Sequence, residues 1–248
     1  MKQLRLFAGL LVLIIAAATA HSVALSSKRA KATKFKVRVE NISDPAGQTA
    51  ADGTRWPFAI SPGMFILHRK ENPLFTPGRK DRGFGLEAQA EDGNPAELLK
   101  SLQEEGQHLV RGGRFTTGLF NTPVGATSPG PILPGGAYEF TVTATPGTRL
   151  TVAVMFGQSN DLFYAPDYGI ALFDARDEPV GGDVTSQFML WDAGTEVNQE
   201  PGVGADQAPR QKAPNTGAAE GGVVRLVKDG YSYPETGKVM RVTITPEM

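Results

Sequence analysis

The sequence predicts a mainly β protein: an antiparallel β-sandwich with one short helical insertion at about 86–106. Apolar and polar residues alternate around Phe35, Val37 and Val39, over Tyr138–Ala144 and over Arg149–Phe156, the period of a half-buried strand. Turn signals rich in Gly and Pro separate these runs. Only one zone carries a helical pattern. Strands punctuated by turns, with no break in composition, favour one sandwich over two domains.

The first strand places Phe35, Val37 and Val39 opposite Lys36, Arg38 and Glu40. Residues 44–55 read as a loop. Phe58–Ile60 and Gly63–Leu67 are short apolar segments split by Ser61-Pro62, and 72–83 is a charged loop. Asn94-Pro-Ala-Glu97 is a helix start, with Asn as N-cap, Pro at the first position and Glu at the third. Leu98, Leu99 and Leu102 supply its apolar stripe, Gly106 a stop, and 87–91 a preceding helical turn. Phe115–Phe120 is a short strand. Pro146-Gly147 joins 138–144 to 149–156 as an expected hairpin. Gly169–Phe173 and Val239–Ile244 are further strands, and 198–222 is a long loop of the kind that is functional or mobile.

Residues 1–20 read as a secretory signal peptide. Lys2 and Arg5 precede an apolar run from Leu6 to Ala18, and Ala18-Thr-Ala20 fits the cleavage pattern. That run of about 13 residues falls short of the roughly 20 a bilayer span needs, and no second one follows. Residues 21–34 read as a flexible spacer before a domain at 35–246. The chain has 25 basic residues; less the leader's two this leaves 23 against 26 acidic, a net charge of −3 without a basic block. Nucleic-acid binding, which needs a cationic footprint, is not expected. Cysteine is absent, so the domain must be stable through its core alone, which about 225 residues can provide. An exported chain without cysteine suggests a bacterial periplasmic or extracellular location.

Acidic side chains beside apolar anchors at strand ends are the chemical feature of the chain. Asp161 lies in Gln158-Ser-Asn-Asp-Leu-Phe163, and Asp192 and Glu196 lie in Met189-Leu-Trp-Asp-Ala-Gly-Thr-Glu196. Calcium takes six to eight oxygens at about 2.3–2.6 Å, so shared ligands lie within roughly 5 Å. Extended, the backbones of Asp192 and Glu196 would be about 13 Å apart. Sharing an ion therefore requires a turn, which Ala193-Gly194 can make. The same acids can also be solvated loop residues. His68 and His108 have no metal-type spacing, and no Gly-rich phosphate loop is present. Phe163, Tyr164 and Tyr168 read as a stacking surface or as aromatics packing a loop onto the sheet.

These segments, with Gly169-Ile-Ala-Leu-Phe173, Asn215-Thr-Gly217 and the Val37-Val39-Asn41 opening, resemble the spondin N-terminal domain family in its bacterial single-domain branch, over roughly 35–246. The resemblance implies a C2-like β-sandwich that binds Ca2+ through loop acids, as in modules of extracellular-matrix and adhesion proteins. The family's ligands fall on Asp161, Asp192 and Glu196. Asn160 and Leu162 stand where the family has Pro and Trp, and Glu196 is one methylene longer than the family's Asp. The expected function is an exported, non-enzymatic calcium-binding module facing a protein or glycan surface. The alternatives are an envelope hydrolase using Asp161 and Asp192 as an acid/base pair on glycans, and a purely structural surface or biofilm protein.

Overall fold

The computed structural model describes residues 31–104 and 115–247. The expected leader, the spacer up to residue 30, the helix stop at Gly106 and His108 lie outside the described residues. In chain order the elements are β1 (Thr33–Asn41), β2 (Gln48–Thr49), β3 (Arg55–Trp56), β4 (Ile60–His68), α1 (Leu86–Glu91), α2 (Ala96–Glu104) and β5 (Thr116–Phe120). There follow β6 (Ala137–Ala144), β7 (Arg149–Phe156), β8 (Leu162–Ala165), β9 (Ile170–Ala171), β10 (Gly182–Asp183), β11 (Met189–Asp192), β12 (Arg225–Leu226), α3 (Thr236–Val239) and β13 (Met240–Glu247).

Two antiparallel sheets face each other in a β-sandwich. The first has the order β10-β13-β1-β6, and the second runs β12-β11-β8-β7-β4-β5 with β9 on β7. Phe35, Val37 and Val39 of β1 and Val242 and Ile244 of β13 point at Leu150, Val152 and Val154 of β7 across one core. Fully burying a side chain of this kind stabilises by about 1.5–3 kcal/mol. β1 alternates buried and half-buried positions, so its outer face meets solvent.

The second sheet is covered on both faces. Met64, Ile66, Ala153, Phe163 and Trp191 face outward onto Leu74, Phe75, Leu86, Ala90, Leu98 and Leu102, so α1 and α2 form a third layer. This explains why β8 is buried at every position. The helical zone holds two helices, and the preceding turn expected at 87–91 is α1. The Asn94 side chain accepts the Ala96 amide at 3.1 Å and caps α2, as the Asn-Pro pair predicts.

The expected 138–156 hairpin is not formed. β6 pairs with β1, whereas β7 pairs with β4, β8 and β9. Pro146-Gly147 does make a turn, closed by the Thr148 amide on the Thr145 carbonyl at 3.1 Å with Gly147 at φ 81°. The turn carries the chain from one sheet to the other. Turn chemistry sets a local reversal; it does not choose the partner of the next strand.

Candidate metal centre

Asp161 immediately precedes β8, and Asp192 ends β11. Leu162 pairs with Asp192 across these neighbouring strands, and Asp192 pairs with Arg225 on β12. Register alone therefore places both acids at the same end of the second sheet. Ser159 shapes the approach: its hydroxyl donates to the Phe156 carbonyl at 2.7 Å and accepts the Leu162 amide at 3.1 Å.

The turn after Asp192 wraps around Asp161. Asp192 Oδ1 accepts the Gly194 amide at 2.7 Å, and Asp161 Oδ2 accepts the amides of Thr195 and Glu196, both at 3.2 Å. Gly194 sits at φ 70°, and a Cβ there would lie 2.7 Å from the backbone of Val223, so only glycine fits. The turn expected at Ala193-Gly194 is present.

Both aspartates are buried, Asp161 at 0% and Asp192 at 1% exposure. Together with the exposed Glu220 they bring one carboxylate oxygen each within 4.8 Å of one another, a group able to hold a metal ion. Among the described residues one cation reaches this group. Arg225 Nη2 lies 2.8 Å from Asp192 Oδ2 and 2.7 Å from Glu220 Oε1. Asn198 donates to the same Asp192 oxygen at 3.0 Å. Burial, and then the Asp192 carboxylate, raise the pKa of Asp161 far above the usual carboxylate range. Burial raises Asp192 as well, and it outweighs the Gly194 amide and Arg225, which act in the opposite sense.

Glu196 is buried beside this group with its carboxylate turned elsewhere. Oε2 accepts Asn160 Nδ2 at 3.2 Å and Oε1 accepts the Gly217 amide at 2.7 Å. The structure thus brings Asp161 and Asp192 together as expected, with Glu220 rather than Glu196 as the third carboxylate of the close group. Asn160 also accepts the Gln199 amide and donates to the Val197 carbonyl, so it pins the start of the long loop. That loop is further tied by Arg210 to Gln158, by Gln211 to Asp92 and by Glu220 to Arg225.

Buried polar atoms without a hydrogen-bond partner concentrate here. Of eight such side-chain atoms among the described residues, five belong to Glu91, Asp161, Thr195 and Asn198. All five are oxygens. An unsatisfied buried polar group costs about 1–3 kcal/mol, and more when charged. A hard cation can satisfy several oxygens together. The donor set of carboxylates, hydroxyl and side-chain amide suits such an ion.

Other candidate residues fall away from this end. His68 is buried and bonded to Thr151 Oγ1 and the Lys70 carbonyl, both at 3.0 Å, a core histidine. Phe163 and Tyr164 are fully buried within the sheet, and only Tyr168 is exposed. Glu91, Glu220 and Arg225 escaped the sequence reading. Glu91 follows the buried Ala90 on an amphipathic helix, and an acid on that arc is a readable signal. Glu220 and Arg225 carry no local signal. No family model matches the chain, and no curated protein matches it.

Proposed function

We propose that this chain is an exported, non-enzymatic β-sandwich module of spondin type that binds calcium at one end of its second sheet. The observation that carries the reading is the buried Asp161 carboxylate. One of its oxygens is unpartnered, and the carboxylates of Asp192 and Glu220 lie within 4.8 Å. Asp161 and Asp192 are the central ligands. Glu220 supplies the third carboxylate, and Arg225 balances the charge of Asp192 and Glu220. The resemblance of Asp161-Leu-Phe163 and Trp191-Asp-Ala-Gly-Thr-Glu196 to the spondin segments supports calcium in particular. Glu196 then acts by holding Asn160 and the Gly217 backbone, which fixes the loop that delivers Glu220.

The alternative glycan hydrolase needs carboxylates about 5–10 Å apart across an open cleft. Two buried carboxylates and the exposed Glu220, converging within 4.8 Å, leave no room for a sugar ring and favour an ion. Export rests on the basic, apolar and small-residue order of the first 20 residues, and no described helix is long and apolar enough to cross a membrane. The ion would tie the 158–161 and 193–220 loops into one rigid end, the surface on which a protein or glycan partner docks.

Thermal unfolding in calcium and in chelator tests the reading. Binding to the folded state alone stabilises by about 2.7 kcal/mol at a hundredfold excess over Kd. The wild-type chain should melt higher in calcium, and Asp192→Ala should abolish that difference. Identical wild-type curves in calcium and chelator remove the proposal.

A further inference from the structure

Glu91 is the last residue of α1, and it is 1% exposed. Both of its carboxylate oxygens lack a hydrogen-bond partner. Among the described residues no Lys or Arg forms an ion pair with it. The Thr195 hydroxyl lies beside it as a donor, but in a geometry short of a regular hydrogen bond, and that oxygen too is buried. The charges acting on Glu91 are negative: Glu196, Glu87 and Asp161. Its position at a helix C-terminus adds the partial negative charge of the final carbonyls. A carboxylate so placed has the Thr195 hydroxyl alone to offset its charge, and a cation would offset it more fully. A neutral carboxyl removes the charge and brings one O–H donor, which serves one neighbouring oxygen and leaves the others unsatisfied.

Glu91 does not belong to the close group of Asp161, Asp192 and Glu220, whose oxygens lie within 4.8 Å of one another. Asp161 links the two places. Its Oδ2 accepts the Thr195 amide, and its Oδ1 is unpartnered. Thr195 therefore has its backbone on Asp161 and its hydroxyl beside Glu91. Oxygens from a helix and from a loop, three of them carboxylate, are buried at this place with the Thr195 hydroxyl as the proton donor among them, too few donors for four oxygens.

We propose that Glu91, the Thr195 hydroxyl and Asp161 Oδ1 form a second position for a hard divalent cation, which clamps α1 onto the 193–196 turn. This rests on the reading of the Asp161–Asp192 centre as a cation site, with Asp161 bridging the two ions. Through it the helical layer over the second sheet becomes calcium-dependent, although no loop acid lies in that layer.

Calorimetric titration of the chelator-treated full chain with calcium chloride tests this, alongside hydrogen exchange of residues 86–92 with and without calcium. The wild type should take up two equivalents. Glu91→Gln should take up one, and calcium should no longer protect the α1 amides from exchange. Its melting point in chelator should equal or exceed that of the wild type, because a buried acid without a basic partner among the described residues is gone. If Glu91→Gln does not fold, Thr195→Val serves in its place, with the same loss of one equivalent. Two equivalents retained in the variant, or one equivalent in both proteins, overturns the second position and leaves the first intact. Loss of all binding in Glu91→Gln also overturns it, since Glu91 would then serve a single shared ion. No binding by the wild type ends both readings together.

Discussion

Replacing Asp161 by Asn should stabilise the protein in chelator and remove its response to calcium. The Asp161 carboxyl, ordinarily near 3.8, is pushed up to about 8 by burial and by Asp192. A group whose folded pKa is raised binds its proton more tightly in the native state. Stability therefore falls as pH rises from about 4 to about 8, at up to about 1.4 kcal/mol per pH unit. At pH 7 nearly the whole of that interval has been crossed, a penalty of about 2–4 kcal/mol once the mutual coupling of the two aspartates is allowed for. Asn keeps an oxygen for the Thr195 and Glu196 amides, and it puts a donor where the unpartnered oxygen stands. For a domain of this length each kcal/mol moves the melting point by about 2–4 °C. Differential scanning calorimetry at pH 7 in chelator should thus place Asp161→Asn about 5–15 °C above wild type, and calcium should leave the variant unmoved. A variant less stable than wild type in chelator, together with a wild-type melting point flat between pH 5 and 8, refutes the electrostatic reasoning.

Gly194→Ala meets both a φ of 70° and the Val223 backbone at 2.7 Å, so it should weaken calcium binding at least tenfold by isothermal titration. Gly217→Ala would drive a methyl into the buried Glu196 carboxylate, and should lower stability by about 1–3 kcal/mol in urea melts, with or without calcium. Arg225→Met removes the cation from the buried Asp192; it should destabilise the chelator-treated protein by about 3 kcal/mol and enlarge the calcium-induced rise in melting point. Burial and the negative charges of Glu196, Glu87 and Asp161 hold Glu91 up to about 8, so calcium binding should release protons at pH 7, read as a dependence of the binding heat on buffer ionisation enthalpy.

What the sequence disclosed followed from local rules. Alternation located β1, β6 and β7, the Asn94-Pro95 pair located the start of α2, and Gly194 marked the turn around Asp161. The burial of Asp161 and Asp192 at one sheet end followed once β8 and β11 were neighbours, but that adjacency is a property of strand order. The arch at Pro146-Gly147 looked like a hairpin because both use the same turn residues. Ala153 and Met155 are buried as fully as Val152 and Val154, because the helices cover the outer face, and no strand pattern announces such a cover. Glu220 and Arg225 come from the far end of a long loop, and their place beside Asp192 depends on its many anchors. Glu196 shows the limit of spacing. Its backbone reaches the site, on Asp161 Oδ2, and its longer side chain turns to Asn160 and Gly217.

A crystal structure grown in calcium, with anomalous data collected where calcium scatters, tests the central claim most directly. An anomalous peak is expected about 2.3–2.6 Å from carboxylate oxygens of both Asp161 and Asp192. Those two carboxylates in their present positions at saturating calcium, with no peak between them, would contradict it.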